Sequence, residues 1–584
     1  MKPNLTLIII LASLSSACGS DLLETTEDPV ETTSASGIGE GDFISESEFN
    51  RTVSIAWTDG CATVSGDTDG FVSVNGTRVT VNSTADTTKV VKYVLSGTCS
   101  DGSLKLYSLR KQALVLNGLR LSNSGGAAID NQSDKRTFVV VEGDNALQDG
   151  LLNDRGDYPD ATEGEDLKAA FFSEGQLVFS GSGSLSVTAR GKAGITSDDY
   201  LRFVGTQTIE VTSETGHALR GKDAVRIDDG TIAATAKGDG KKGISSDGPV
   251  TLTGGTVRLS AQGGVLAETT GTGTELSGAA GIKSDGLFTM SGGKLEITAS
   301  GQGGKGISGD GNAVFEGGTV SVRVTGSNYG SSGSGGPGGP GGRPGTRAGW
   351  GSGQDSTTDT SKGAKGIKFD GDMTISGGVI EVVSTNNEAL ESKGKLTVTG
   401  GIVYAFSQSD DAINSGGDMN LSGGLVCGWS SGNDGIDANG NLYINGASVY
   451  AVTTKGNPEV ALDANTEGGK KLFLQSGSLI AIGGIESGAS ITGTAYSTSS
   501  WSKGAWHALY DDEGKLVFAT KAPSSSSNNT MVVYADGKGI TLQGGVSVNE
   551  DGKIWAGCGC TGLDVSGGSA IALSSYSPGG GMFR

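Results

Sequence analysis

Carboxylates recur at a fixed interval in the second half of this chain: Glu388, Asp411 and Asp434 stand 23 residues apart, and Glu391, Asn414 and Asp437 repeat that spacing. Asp410 lies beside this set and Asp463 extends it. Carboxylates brought together by a repeat repel one another unless something neutralises them. Hard oxygen ligands of this kind suit calcium at about 2.3 to 2.6 Å. Calcium is therefore the expected cofactor, with Glu388, Glu391, Asp410, Asp411, Asp434, Asp437 and Asp463 as its ligands. An ion held there could accept the carboxylate of an acidic sugar as a further ligand. The competing reading is a solvated turn edge whose Asx side chains bond their own backbone.

Two other groups of residues share the repeat. If Val403 and Ala405 point inward, Tyr404 and Phe406 point outward, and the same phase puts Trp429 and Tyr450 on the outer face. Exposed aromatics stacked in this way would offer flat surfaces to sugar rings, unless a cap covers them or the phase is off by one. Earlier units carry lysine where later ones carry acid: Lys242, Lys305 and Lys365, then Lys283 and Lys368. Lys365 and Lys368 are expected to meet a sugar carboxylate. The alternative is that the lysines pair at the surface with Asp247, Asp285, Asp310 and Asp370, where such pairs contribute little.

The element that positions all of these is a coil of about 23 to 25 residues. A small residue followed by Ile or Leu recurs from Gly194-Ile195 to Ala461-Leu462, with steps of 24, 25, 38, 25, 60, 23, 23, 23 and 26 residues. The two long steps carry insertions, near 264 to 278 and 326 to 363. Within each unit, alternating apolar runs flank a turn, as in Leu396-Thr397-Val398, Gly400-Gly401 and Val403-Tyr404-Ala405. Period two means strand. Such short strands cannot make a core alone, but stacked coils can, each strand bonding its equivalents about 4.8 Å above and below. An all-β, right-handed parallel β-helix is expected. Its core spans 191–494, between a β-rich cap with first coils at 43–190 and a β-rich cap at 495–584.

Composition agrees. The chain has 584 residues with 102 Gly, 10 Pro and a net charge of −21. That acidity argues against nucleic acid as a partner, because phosphate binding needs clustered Lys and Arg. Residues 1–17 read as an export signal, with Ser15-Ser16-Ala17 before Cys18. The pattern resembles a bacterial lipobox, which implies lipidation at Cys18; a plain secretory signal is the alternative. Residues 18–42 are then a flexible tether, and the chain a monomer in the cell envelope held to the membrane only by its lipid. The insertion at 326–363, rich in Gly, Pro and Ser, reads as a flexible loop. Cys61 and Cys99 are candidates for a disulfide, whereas Cys558 and Cys560 are too close for an unstrained bridge.

The segments VLSGTCSDGSLKLYS, ALVLNGLRLSNSGGAAID and KRTFVVVEGDNALQDG, the SGG turns, and SDDAIN followed by NDGIDANG resemble the bacterial carbohydrate-binding β-helix family. The resemblance covers about residues 85 to 550. It implies a non-catalytic binder of acidic polysaccharide such as polygalacturonate, with cellulose as a further ligand and bound calcium. The family's acidic turn falls on Asp410, Asp411, Asp434 and Asp437; Ala412 and Asn414 depart from its fuller pattern, as does His217 to Gly221. A polysaccharide lyase is the main alternative. It would need a Lys or Arg base beside a compact carboxylate cluster, and Lys365, Lys368 and Lys393 are the nearest candidates. A surface adhesin is the third.

Overall fold

In the computed structural model, residues 41–270, 273–330, 362–536, 539–549 and 564–579 are described. The signal, Cys18, Cys558, Cys560 and most of the 326–363 insertion lie outside them. The described chain is all β apart from one 3-10 turn at Ile44–Glu46.

Each coil contributes one short strand to a 15-stranded sheet and two runs to a 28-stranded sheet. In one coil these are Ile413–Ser415 and the longer Met419–Ser430, bent at its middle. Register is kept from coil to coil. Ile413 stands opposite Leu390 and Ile436, and Val426 opposite Val403 and Val449, all in parallel pairs. The inward set (Leu390, Leu396, Val398, Val403 and Ala405, with their equivalents above and below) forms one continuous apolar core. The protein is a parallel β-helix.

The bends need glycine where backbones stack. Gly401 has φ +81°, and a Cβ there would stand 2.8 Å from backbone atoms of Gly377 and Gly378 in the previous coil. Only glycine adopts that conformation without cost.

Parallel coils begin well before residue 191. Arg51–Trp57 pairs in parallel with Val91–Cys99, and Arg78–Asn82 with Ser103–Tyr107. The tether ends earlier than 42: the fully buried Asp42 bonds Arg202 at 2.7 Å and Arg136 at 3.1 Å. The insertion at 264 to 278 is an antiparallel hairpin, Val265–Thr270 with Gly273–Gly278. At the other end, Leu472–Ile482 pairs antiparallel with Met531–Ala535, which closes the sheet edge. A four-stranded antiparallel sheet follows, built from Trp506–Tyr510, Leu516–Lys521, Thr541–Val548 and Val565–Ala570.

The expected Cys61 to Cys99 disulfide is corrected here: both thiols are free. Cys61 sits exposed in the turn after the first strand, while Cys99 is directed into the core.

Candidate functional site

Stacking turns the repeat into two columns along the short sheet. One runs through Arg220, Ser245, Lys283, Ser308, Lys368, Glu391, Asn414, Asp437 and Asp463, each opposite the next. Three residues earlier in each coil lies the second column. Gly366, Ala389 and Ala412 donate their N–H groups to the carbonyls of Glu388, Asp411 and Asp434, so these three follow Lys365 coil by coil. Basic residues therefore occupy the earlier coils and acidic residues the later ones, and the sign changes between Lys365/Lys368 and Glu388/Glu391.

An internal Ser/Thr ladder fixes the acidic turns. Ser430 Oγ donates to the carbonyl of Asp410 at 2.6 Å, and Thr453 Oγ1 to that of Asn433 at 2.7 Å. Ser407 Oγ in turn accepts the N–H of Asp410 at 3.0 Å. These side chains are fully buried at a 23-residue spacing visible in the sequence, a signal the sequence reading did not use.

The acidic side chains of the row are tied into the turns by hydrogen bonds. They bond backbone: Asp434 N–H donates to Asp411 Oδ1 at 3.1 Å, and Val460 N–H to Asp434 Oδ1 at 2.6 Å. The amide of Asn414 bridges Asp411 and Asp437 at 3.1 and 3.0 Å. Yet they remain electrostatically frustrated. Burial, then repulsion from Asp437, pushes Asp411 up to about 9. Burial, with nearby carboxylates adding to it, lifts Asp434 to about 7 and Asp437 to about 6. Asp463 is raised by burial and then by its side-chain hydrogen bond with Glu486. Among the described residues no lysine or arginine pairs with any of these four.

Glu388 and Glu391, also expected among the metal ligands, differ from these four in meeting lysines. Lys365 Nζ lies 3.1 Å from Glu388 and 2.6 Å from Glu391, and Lys393 lies 2.8 Å from Glu391. The two lysines hold Glu391 below the usual carboxylate range even though burial opposes this, whereas burial raises Glu388 despite Lys365. The same pairs engage Lys365, and Lys368 pairs with Asp370. Among the described residues, three carboxylates meet within 4.8 Å only at Asp166, Glu174 and Asp198, where Lys168 already pairs with Asp166 and Asp198.

The aromatic platform is also corrected. Tyr404, Phe406, Trp429 and Tyr450 do point out of the helix, but the C-terminal cap packs on them. Tyr404 and Tyr450 are buried with Leu509, Phe518 and Met531, while Phe406 and Trp429 pack half-buried against that cluster. The aromatic pair the sequence reading missed is Tyr443 and Phe473, stacked at 4.9 Å and nearly parallel. Their faces are turned to one another, so they present edges rather than a platform.

A family model described as carbohydrate-binding domain-containing protein matches residues 75–275 and 277–412. No curated protein matches the chain. Among solved structures, the polysaccharide lyase-like protein from C. thermocellum, as a gadolinium derivative, aligns with a TM-score of 0.34 at 22% identity, covering 45% of this chain and 96% of the other.

Proposed function

We propose, since this chain belongs to the family of carbohydrate-binding domain-containing proteins, that it binds acidic polysaccharide of the polygalacturonate type with calcium and without chemistry. The observation that carries this reading is the row Asp411, Asp434, Asp437 and Asp463: half-buried or buried carboxylates, raised by burial and by one another, with no lysine or arginine paired to them among the described residues. Such a donor set fits a hard divalent ion. No three of these carboxylates come within 4.8 Å of one another, so an ion would take ligands from two neighbouring acids of the row, such as Asp411 and Asp437 on either side of Asn414, and fill its other positions from water and the ligand. The ion would neutralise the row and offer open coordination positions to a uronate carboxylate.

The non-catalytic part rests on the basic residues beside the row. Lys365, Lys368 and Lys393 are each paired with carboxylates, and Glu388 and Glu391 raise Lys365 above the usual lysine range although burial opposes this, which makes it a poor base. Lipidation at Cys18 would fix the binder to the bacterial envelope, where it would meet polymer that cannot enter the cell. The test is retention of the full chain on immobilised polygalacturonate, in calcium and in chelator, with absorbance followed for unsaturated product. Retention that calcium strengthens at least tenfold, that is weakened at least tenfold by Asp434→Asn in calcium and that yields no product is expected. Product formation, or retention indifferent to calcium and to Asp434, overturns the reading.

A further inference from the structure

The cationic half of the two columns has a cavity of its own. It measures about 220 Å³ and is lined by Lys242, Lys283, Lys305, Lys362 and Lys368 and by the carboxylates Asp310 and Asp370, with the hairpin strand Gly273–Gly278 contributing Leu276 to Gly278 as one wall. Four successive coils each deliver a lysine, alternating between columns: Lys242 lies opposite Ala280 and Ala280 opposite Lys305, while Lys283 lies opposite Ser308 and Ser308 opposite Lys368. The rise per coil is about 4.8 Å.

The lysines are unequally neutralised. Lys283 pairs with Asp285 and Asp310, and Lys368 with Asp370. Lys242 donates to Ser277 Oγ at 2.7 Å and to the carbonyl of Gly240, which ties the hairpin over the cavity but supplies no negative charge. Lys305 has no carboxylate partner among the described residues. Burial and neighbouring lysines, with too few carboxylates to offset them, depress Lys305 to about 7 and Lys242 to about 8, so Lys305 is only partly protonated near neutral pH and an entering anion would draw a proton onto it. An ammonium held in a cleft by other ammonium groups gains from any anion that enters. Charge-assisted bonds to lysine need only an oxyanion of small size.

We propose that this cavity is an anion subsite that takes a carboxylate or sulfate group carried on a sugar chain, with Lys305 as the direct contact and Lys242 as the residue that positions the hairpin wall. A polymer suits it better than a free anion, because the columns present charge at every coil along the axis. The assignment rests on the polysaccharide reading above, but it needs no calcium, and that separates the two experimentally.

Calorimetric titration of the full chain in chelator, with polygalacturonate, dextran sulfate and fully methyl-esterified pectin as ligands, tests it. Binding of at least one polyanion, weakening as salt is raised and absent for the neutral ester, is expected. Lys305→Met should lower that affinity about tenfold, the loss typical of one charged hydrogen bond. Lys305→Arg should keep most of it, and Lys515→Met, a remote surface control, all of it. An unchanged thermal midpoint in Lys305→Met excludes misfolding as the cause. Chelator-resistant binding that ignores Lys305→Met, or no polyanion binding in chelator, overturns the subsite while leaving calcium-dependent retention intact. Unsaturated product lost in Lys305→Met would instead make Lys305 a base and overturn the binding role.

Discussion

The hydroxyl of Tyr450 donates to the carbonyl of Lys521 at 2.8 Å, across the seam between the last coils and the cap. That bond explains why an aromatic that points away from the solenoid core is nonetheless buried. Alternation along a strand fixes only which side of its own sheet a residue faces. What lies on that side is decided by a segment that folds over it from more than fifty residues away. Tyr450→Ala should therefore act on stability rather than on ligand, at about 3 to 5 kcal/mol for a large buried aromatic. Urea unfolding checks the magnitude. Retention on polysaccharide per folded molecule should stay unchanged, and a selective loss of retention would return Tyr450 to the binding surface. Lys365 makes a similar point for charge. Its partners Glu388 and Glu391 share the spacing of the acidic row, and nothing in that spacing distinguishes carboxylates met by a lysine from those left alone.

At the scale of the element, the acidic row should make stability depend on pH. In an unfolded chain these aspartates titrate near 3.8, the ordinary value of an aspartate, but Asp437, Asp434 and Asp411 are raised to about 6, 7 and 9 in the fold. Between those limits the folded state binds more protons than the unfolded one, so stability is greatest at low pH and falls as pH rises through the window. In chelator the thermal midpoint should drop between about pH 5 and about pH 8. Excess calcium, or Asp411→Asn with Asp434→Asn, should remove most of that drop. A flat profile in chelator would mean that the row is already neutralised. The coils, their register and the inward residues were legible because a 23-residue period and a two-residue alternation act together, so that an error in one would contradict the other. The face on which the C-terminal cap packs, the hairpin over the lysines and the free Cys61 and Cys99 were not, since each depends on where an irregular segment lands rather than on the period.

For the whole molecule, the sign change along one face organises the account. Cationic coils up to Lys368 would meet an anionic polymer directly, and anionic coils from Asp411 onward would meet it through calcium. The ion then belongs as much to the ligand as to the protein, and binding of the two must be reciprocal. Titration of calcium into the full chain, with and without saturating trigalacturonate, is the most direct measurement. Trigalacturonate should tighten calcium by the same factor by which calcium tightens trigalacturonate, and Asp434→Asn should abolish the coupling. Calcium affinity that is identical with and without the saccharide would contradict the claim that the ion bridges them.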